Sequence, residues 1–172
     1  MQVDENMLAV NHLRPYSSWK EFFPTIKKAF EAYLNVANPK GIQRIGLRYI
    51  NEINIPEVSL ELEDYFNFRP FIHDDLPQKL SSFTLGATFI FDEGRNLAKV
   101  QLLTSKQNDD KSIFILDIDY FLAKSDISLN EPKKNALKSV YEWIDSAHSD
   151  LENVFEGALT DKTKKLFDKG KI

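Results

Sequence analysis

The sequence predicts an α+β fold in two layers, with an antiparallel sheet of about four to six strands packed on a long C-terminal helix and one N-terminal helix. Three observations carry that prediction. Apolar and polar residues alternate in a segment ending at Ile55 and in three segments between Phe83 and Leu122, which is the period of a half-buried strand. Short turn-like connections separate the last three segments, and strands joined that closely pair antiparallel. After them Leu137, Val140, Tyr141, Ile144, Ala147, His148, Leu151, Val154 and Phe155 form a stripe at helical spacing.

The elements follow in order. Residues 1–12 predict a hairpin, since Val3 and Met7-Leu8-Ala9-Val10 flank the turn-forming Asp4-Glu5-Asn6. Ser18 is a helix-capping residue with Glu21 as its capping-box partner, and Trp19, Phe22, Phe23, Ile26, Ala29, Phe30, Tyr33 and Leu34 then share one helical face. Pro24 is a blemish that costs little if it lies in the first turns, where its missing N–H has no partner anyway. Asn38-Pro39-Lys40-Gly41 ends the helix. From Ile42 to Ile55, the residues Ile45, Leu47, Tyr49, Ile53 and Ile55 line one strand face, which Asn51 interrupts. Arg44, Gly46, Arg48, Ile50, Glu52 and Asn54 line the other.

Residues 56–82 contain Pro56, Pro70 and Pro77 and predict a long connection with a short helix around Glu57 to Phe66. Such a connection serves as a binding loop or lid, or as an ordered excursion over one end of the sheet. Phe83, Leu85, Ala87, Phe89 and Phe91 then alternate, and Asp92-Glu93-Gly94-Arg95-Asn96 predicts a hairpin turn. Val100 and Leu102 continue the apolar face, and residues 107–111 predict the next turn. Phe114, Leu116, Ile118, Tyr120 and Leu122 face one way; Ile113, Ile115, Asp117, Asp119 and Phe121 face the other. Asn130 and Pro132 mark the start of the long helix, Thr160 caps a short helix ending near Phe167, and Lys169-Gly170-Lys171-Ile172 is a frayed tail. This order resembles helix-grip arrangements, in which a ligand is often held between sheet and helix, although topology alone carries no function.

At 172 residues the chain fits one domain, 1–172, or the C-terminal part of a longer protein. Thirteen Phe, six Tyr and two Trp predict a core rich in aromatics. A net charge of -4 gives the molecule no general electrostatic reason to seek DNA or RNA. The absence of cysteine excludes disulfides, thiolate-bound metals and thiol catalysis, and suits a cytoplasmic protein. Met1 to Asn6 does not resemble a signal peptide, and no apolar run approaches the roughly 18 residues of a membrane span, so no membrane association is expected. No phosphate-binding glycine loop, Gly-x-Ser-x-Gly, His-Glu-x-x-His or Cys-x-x-Cys occurs, so no cofactor, metal site or catalytic residue is assigned.

The candidate binding residues are Arg44, Arg48, Asn51, Asp117, Asp119 and His148. Arg44 and Arg48 project from one strand face roughly 13 Å apart, as an anion contact or as partners for neighbouring strands. Asp117 and Asp119 share a face at roughly 7 Å, a spacing open to a metal or acid/base pair. The plainer reading pairs them across the sheet with Arg44, Arg48 or Lys99, because a carboxylate beside Ile113, Ile115 and Phe121 needs a partner. Asn51, a lone polar residue on an apolar face, must be hydrogen-bonded; pinning a bulge or the helix is the preferred role, and facing a ligand the other. His148 lies on the apolar stripe with only Glu152 at ligand spacing, and is expected to bond backbone. His73-Asp74-Asp75 is read as loop polarity, since adjacent residues rarely reach one ion together.

Four segments together resemble a known family: Tyr16-Ser17-Ser18-Trp19, Arg44-Ile45-Gly46-Leu47-Arg48-Tyr49-Ile50-Asn51, Leu116-Asp117-Ile118-Asp119, and the ending from Ala147-His148 through Phe155-Glu156 to Leu159-Thr160-Asp161. They look like the sporadically distributed, uncharacterised prokaryotic proteins that share an Arg-Ile-Gly-Leu-Arg-Tyr-Ile-Asn-type strand. Members carry further residues before the Tyr-x-x-Trp segment, which are absent here. The resemblance implies no activity; patchy distribution suggests a link to defence or toxin–antitoxin-like loci. The expectation is a non-enzymatic binding module that holds a protein partner or a small ligand in the sheet–helix groove or at the 56–82 loop, with self-association open. The alternative is an enzyme or nucleic-acid-acting effector built on the strand Arg and Asp residues and His148.

Overall fold

The computed structural model describes residues 1–13, 15, 18–105, 110–124, 127, 129 and 133–168. Strands β1 (Gln2–Asp4) and β2 (Met7–Ala9) form an antiparallel hairpin, a two-stranded sheet of its own. Then come α1 (Trp19–Ala37), β3 (Gly46–Ile55), the one-turn helix α2 (Leu62–Tyr65), β4 (Thr84–Phe91), β5 (Asn96–Thr104), β6 (Ser112–Leu122), α3 (Lys133–Ala158) and α4 (Asp161–Asp168). The expected turn at 107–111, the helix start at Asn130 and Pro132, and the tail Lys169–Ile172 fall wholly or mainly outside the described residues. Among the described residues, no helix is long and apolar enough to cross a membrane.

The backbone groups into two compact units. One comprises Met1–Gln43 and Asp126–Glu142, the other Arg44–Ser125 and Trp143–Ile172. In the first, the Ser18 hydroxyl accepts the Glu21 N–H at 3.3 Å and starts α1 as the sequence predicts. Asn38 ends α1 in the left-handed conformation, donating its N–H to the Leu34 carbonyl at 3.3 Å. Pro24 is not in the first turn: it is the sixth residue of α1, so the Lys20 carbonyl loses its helical hydrogen bond. The apolar face of α1 is an aromatic cluster in which Trp19 stacks on Phe23 at 5.0 Å and Tyr141 stands edge-on to Phe23 and Phe30. No residue of α1 is fully buried, so these rings form a half-buried face and not the core that their period predicts.

The second unit holds the four-stranded sheet, in the order β3-β6-β5-β4 and antiparallel throughout. Central β6 alternates residue by residue, with Phe114, Leu116, Ile118, Tyr120 and Leu122 buried on one face. Leu47, Ile53 and Ile55 of β3 and Ala98, Val100 and Leu102 of β5 complete that face. The part of α3 from Trp143 onward covers it, burying Trp143, Ile144, Ala147 and Leu151. Each fully buried aliphatic side chain contributes about 1.5–3 kcal/mol. Trp143 Nε1 donates to Asn96 Oδ1 at 2.9 Å, and the Tyr120 hydroxyl donates to Asp150 at 2.7 Å, so helix and sheet are also joined by hydrogen bonds.

The 56–82 connection is anchored to the end of α3. The Asn67 and Phe68 N–H groups both donate to the Ala158 carbonyl, at 2.8 and 3.2 Å. Asn67 Nδ2 donates to the Gly157 and Leu159 carbonyls, at 3.1 and 2.9 Å. The last carbonyls of a helix have no partner within it, and here the connection supplies their donors. Thr160 caps α4, as its position predicts, by accepting the Thr163 N–H at 3.4 Å. The short helix of the connection is confined to α2, less than half of the span expected between Glu57 and Phe66.

Candidate functional site

The sequence-derived candidates divide between the two faces of the sheet. On the face turned away from α3, Arg48 makes a forked pair with Asp117: Nε donates to Oδ1 at 2.8 Å and Nη2 to Oδ2 at 2.5 Å. Arg44 Nη2 donates to both oxygens of Asp119, at 3.0 and 2.8 Å, and its guanidinium lies 4.8 Å over the Phe121 ring. In the ladder Arg48 stands opposite Asp119, so the Arg48–Asp117 pair runs diagonally. The Asp117 side chain is only 13% exposed against 56% for Arg48, which makes the carboxylate the group that depends on the pair. Its hydrogen bond holds the Arg48 guanidinium above its usual pKa. Both aspartates are therefore taken up by arginines, as the cross-sheet reading expects.

On the covered face, Asn51 Nδ2 donates to the carbonyl of Leu116, its cross-strand neighbour, at 3.2 Å. It pins strand to strand, where a bulge or helix contact was expected. The Tyr49 hydroxyl lies 2.8 Å from His148 Nδ1, and His148 Nε2 lies 3.4 Å from Glu152 Oε1. His148 thus bonds the Tyr49 side chain. Tyr49 goes unnoticed in sequence because its alternation marks it as plain core.

Burial holds His148 below the ordinary imidazole range, against the raising effect of Glu152 and Asp145. In the neutral form Nδ1 accepts from Tyr49 and Nε2–H faces Glu152, so every ring position has a role. Because the folded pKa is depressed, the unfolded chain binds more protons in this window. The stability from neutral His148 is present above about pH 6.5 and is lost as pH falls toward the folded value. Denaturant melts from pH 7 to 5 should show this loss, and Tyr49→Phe with His148→Leu should flatten it; an unchanged slope in the double variant refutes the assignment.

His73 and Asp75 contact only each other's local chain, with Nδ1 3.3 Å from Oδ2 and also accepting the Asp75 N–H. Among the described residues, no group of three His, Cys, Asp or Glu side chains could hold a metal ion.

What the sequence does not single out is an apolar pocket of about 340 Å³ in the sheet-and-α3 unit. Its walls are Phe89 and Phe91 of β4, Val100 of β5, Val154, Gly157 and Ala158 of α3, and Asn67 and Phe68 of the long connection. Phe68 meets Phe89 edge-on at 6.1 Å, and Phe91 meets Tyr120 at 5.3 Å, so the aromatic walls are braced. Gly157 stands in the helix where an added Cβ would meet no atom within 4 Å. A helical glycine costs about 1 kcal/mol relative to alanine, and no close contact demands one here. An isolated glycine near the end of a predicted helix was the one available sequence signal. Asn67 and Phe68 carried none, because a loop residue's neighbour across the fold leaves no periodicity.

The chain matches no family model, no curated protein and no solved structure.

Proposed function

We propose that this protein is a non-enzymatic binding module and that its ligand is a small apolar molecule seated in the pocket between β4–β5, the end of α3 and Asn67–Phe68. One observation carries this reading. The two places expected to bind, the sheet–helix groove and the 56–82 connection, meet at a single aromatic-lined cavity of about 340 Å³. That volume is at the lower end of small-molecule sites, which are lined by apolar side chains with a few polar groups. The enzymatic alternative has less support: Arg44, Arg48, Asp117 and Asp119 satisfy one another, and His148 is engaged on both ring nitrogens. The strand from Arg44 to Asn51 also leads us to place the chain among the sporadically distributed prokaryotic proteins, and the lack of cysteine favours a cytoplasmic setting.

N-phenyl-1-naphthylamine, an uncharged fluorescent probe, tests the reading. The native chain should show a saturable rise in emission. Gly157→Leu, which projects a side chain into the open space, should weaken binding at least tenfold. Its stability should hold or rise, since leucine exceeds glycine in helix propensity by about 1 kcal/mol. Equal binding by both chains, or none by the native one, refutes the proposal.

A further inference from the structure

Resting on that pocket reading, we propose that the ligand is an uncharged aromatic molecule of one or two fused rings that carries an N–H or O–H donor, which Asn67 accepts. Three features of the lining select this class. First, none of the lining residues is charged. A carboxylate or ammonium placed among Phe68, Phe89, Phe91 and Val100 would give up part of its water without gaining a counter-charge. Second, three of the lining side chains are phenylalanines, all of them already braced edge-on by a neighbouring ring, and a planar ligand can add to that arrangement by stacking or edge contact.

Third, Asn67 is the only lining side chain with hydrogen-bonding atoms. Both of its amide hydrogens are committed, to the Gly157 and Leu159 carbonyls. Those two bonds fix which end of the amide is nitrogen. Oδ1 accepts no hydrogen bond among the described residues and keeps its acceptor capacity. The side chain is also held rigid, because its own N–H is bonded to Ala158. Asn67 is exposed, so Oδ1 is a fixed acceptor at the solvent-facing rim of the pocket, and a ligand donor that reaches it gains a hydrogen bond that a ligand without one does not make. Gly157 is exposed and an added Cβ there would meet no atom within 4 Å, which leaves room at this edge of the pocket for a second fused ring.

The test compares two isomers of equal volume. 3-Methylindole keeps its N–H, and 1-methylindole has lost it. Titrations followed by amide NMR on the native chain should place the shifts at residues 67–68, 89–91 and 154–158. 3-Methylindole should bind about fivefold tighter than 1-methylindole, the worth of one net hydrogen bond, and indole-3-acetate should bind more weakly than 3-methylindole. Equal affinity for the isomers, with binding still abolished by Gly157→Leu, overturns the donor requirement and leaves the pocket standing. Tighter binding of indole-3-acetate overturns the uncharged class. If no indole shifts these amides and the naphthylamine probe is indifferent to Gly157→Leu, the pocket reading fails with it.

Discussion

Trp143→Ala is expected to lower the stability of the chain by about 3–5 kcal/mol, the range for removing a buried large aromatic side chain. The indole is 5% exposed and lies against Tyr120, with ring centroids 6.1 Å apart. Its removal opens a cavity between α3 and the sheet and also strands Asn96, itself 3% exposed, whose Oδ1 accepts the indole N–H. Asn96 Nδ2 remains tied to Asp92, so the amide cannot turn to find water. Trp143→Phe separates the contributions: it keeps most of the packing and loses the hydrogen bond, and should cost about 1–3 kcal/mol. Urea denaturation measures both. A cost below 1 kcal/mol for the alanine variant would mean that α3 does not depend on this contact.

The second large effect concerns the open face. Arg48→Met should cost about 1–2 kcal/mol, because it leaves the largely buried Asp117 carboxylate beside Ile115 without its guanidinium. The exposure of Arg48 keeps the figure at the low end. Adding Asp117→Leu should restore most of the loss, since removing both partners leaves no orphaned charge. A cycle that gives no coupling would show the pair to be structurally idle and would return Asp117 to the list of groups held for another purpose. Asp117→Asn with Asp119→Asn, measured for stability and for probe binding, separates the two roles. A structural pair moves the first and leaves the second unchanged.

Much of the architecture was legible because it rests on periodicity. Alternation named which residues of β3 and β6 share a face, and the 3.6-residue stripe placed Ile144, Ala147 and Leu151 on the buried side of α3. Capping chemistry at Ser18 and Thr160 is local, and both caps formed as expected. The cross-sheet pairing of the two arginines with the two aspartates was also within reach, because strand alternation puts all four on one face and burial demands a partner. The depth of the aromatic face of α1 was misjudged because periodicity reports a face and not how deeply it is buried.

The pocket lay beyond the sequence for a different reason. Its walls come from β4, β5, α3 and a loop, and only the fold sets Asn67 beside the end of a helix some ninety residues later. The amino-acid sequence by itself determined the strands, the helices and the faces they present, since these follow from spacing and short-range hydrogen bonding. Tertiary structure alone decided that His148 meets Tyr49, and that Gly157 and three phenylalanines line one pocket. Contacts between distant segments depend on how the layers close, and no local pattern records that distance.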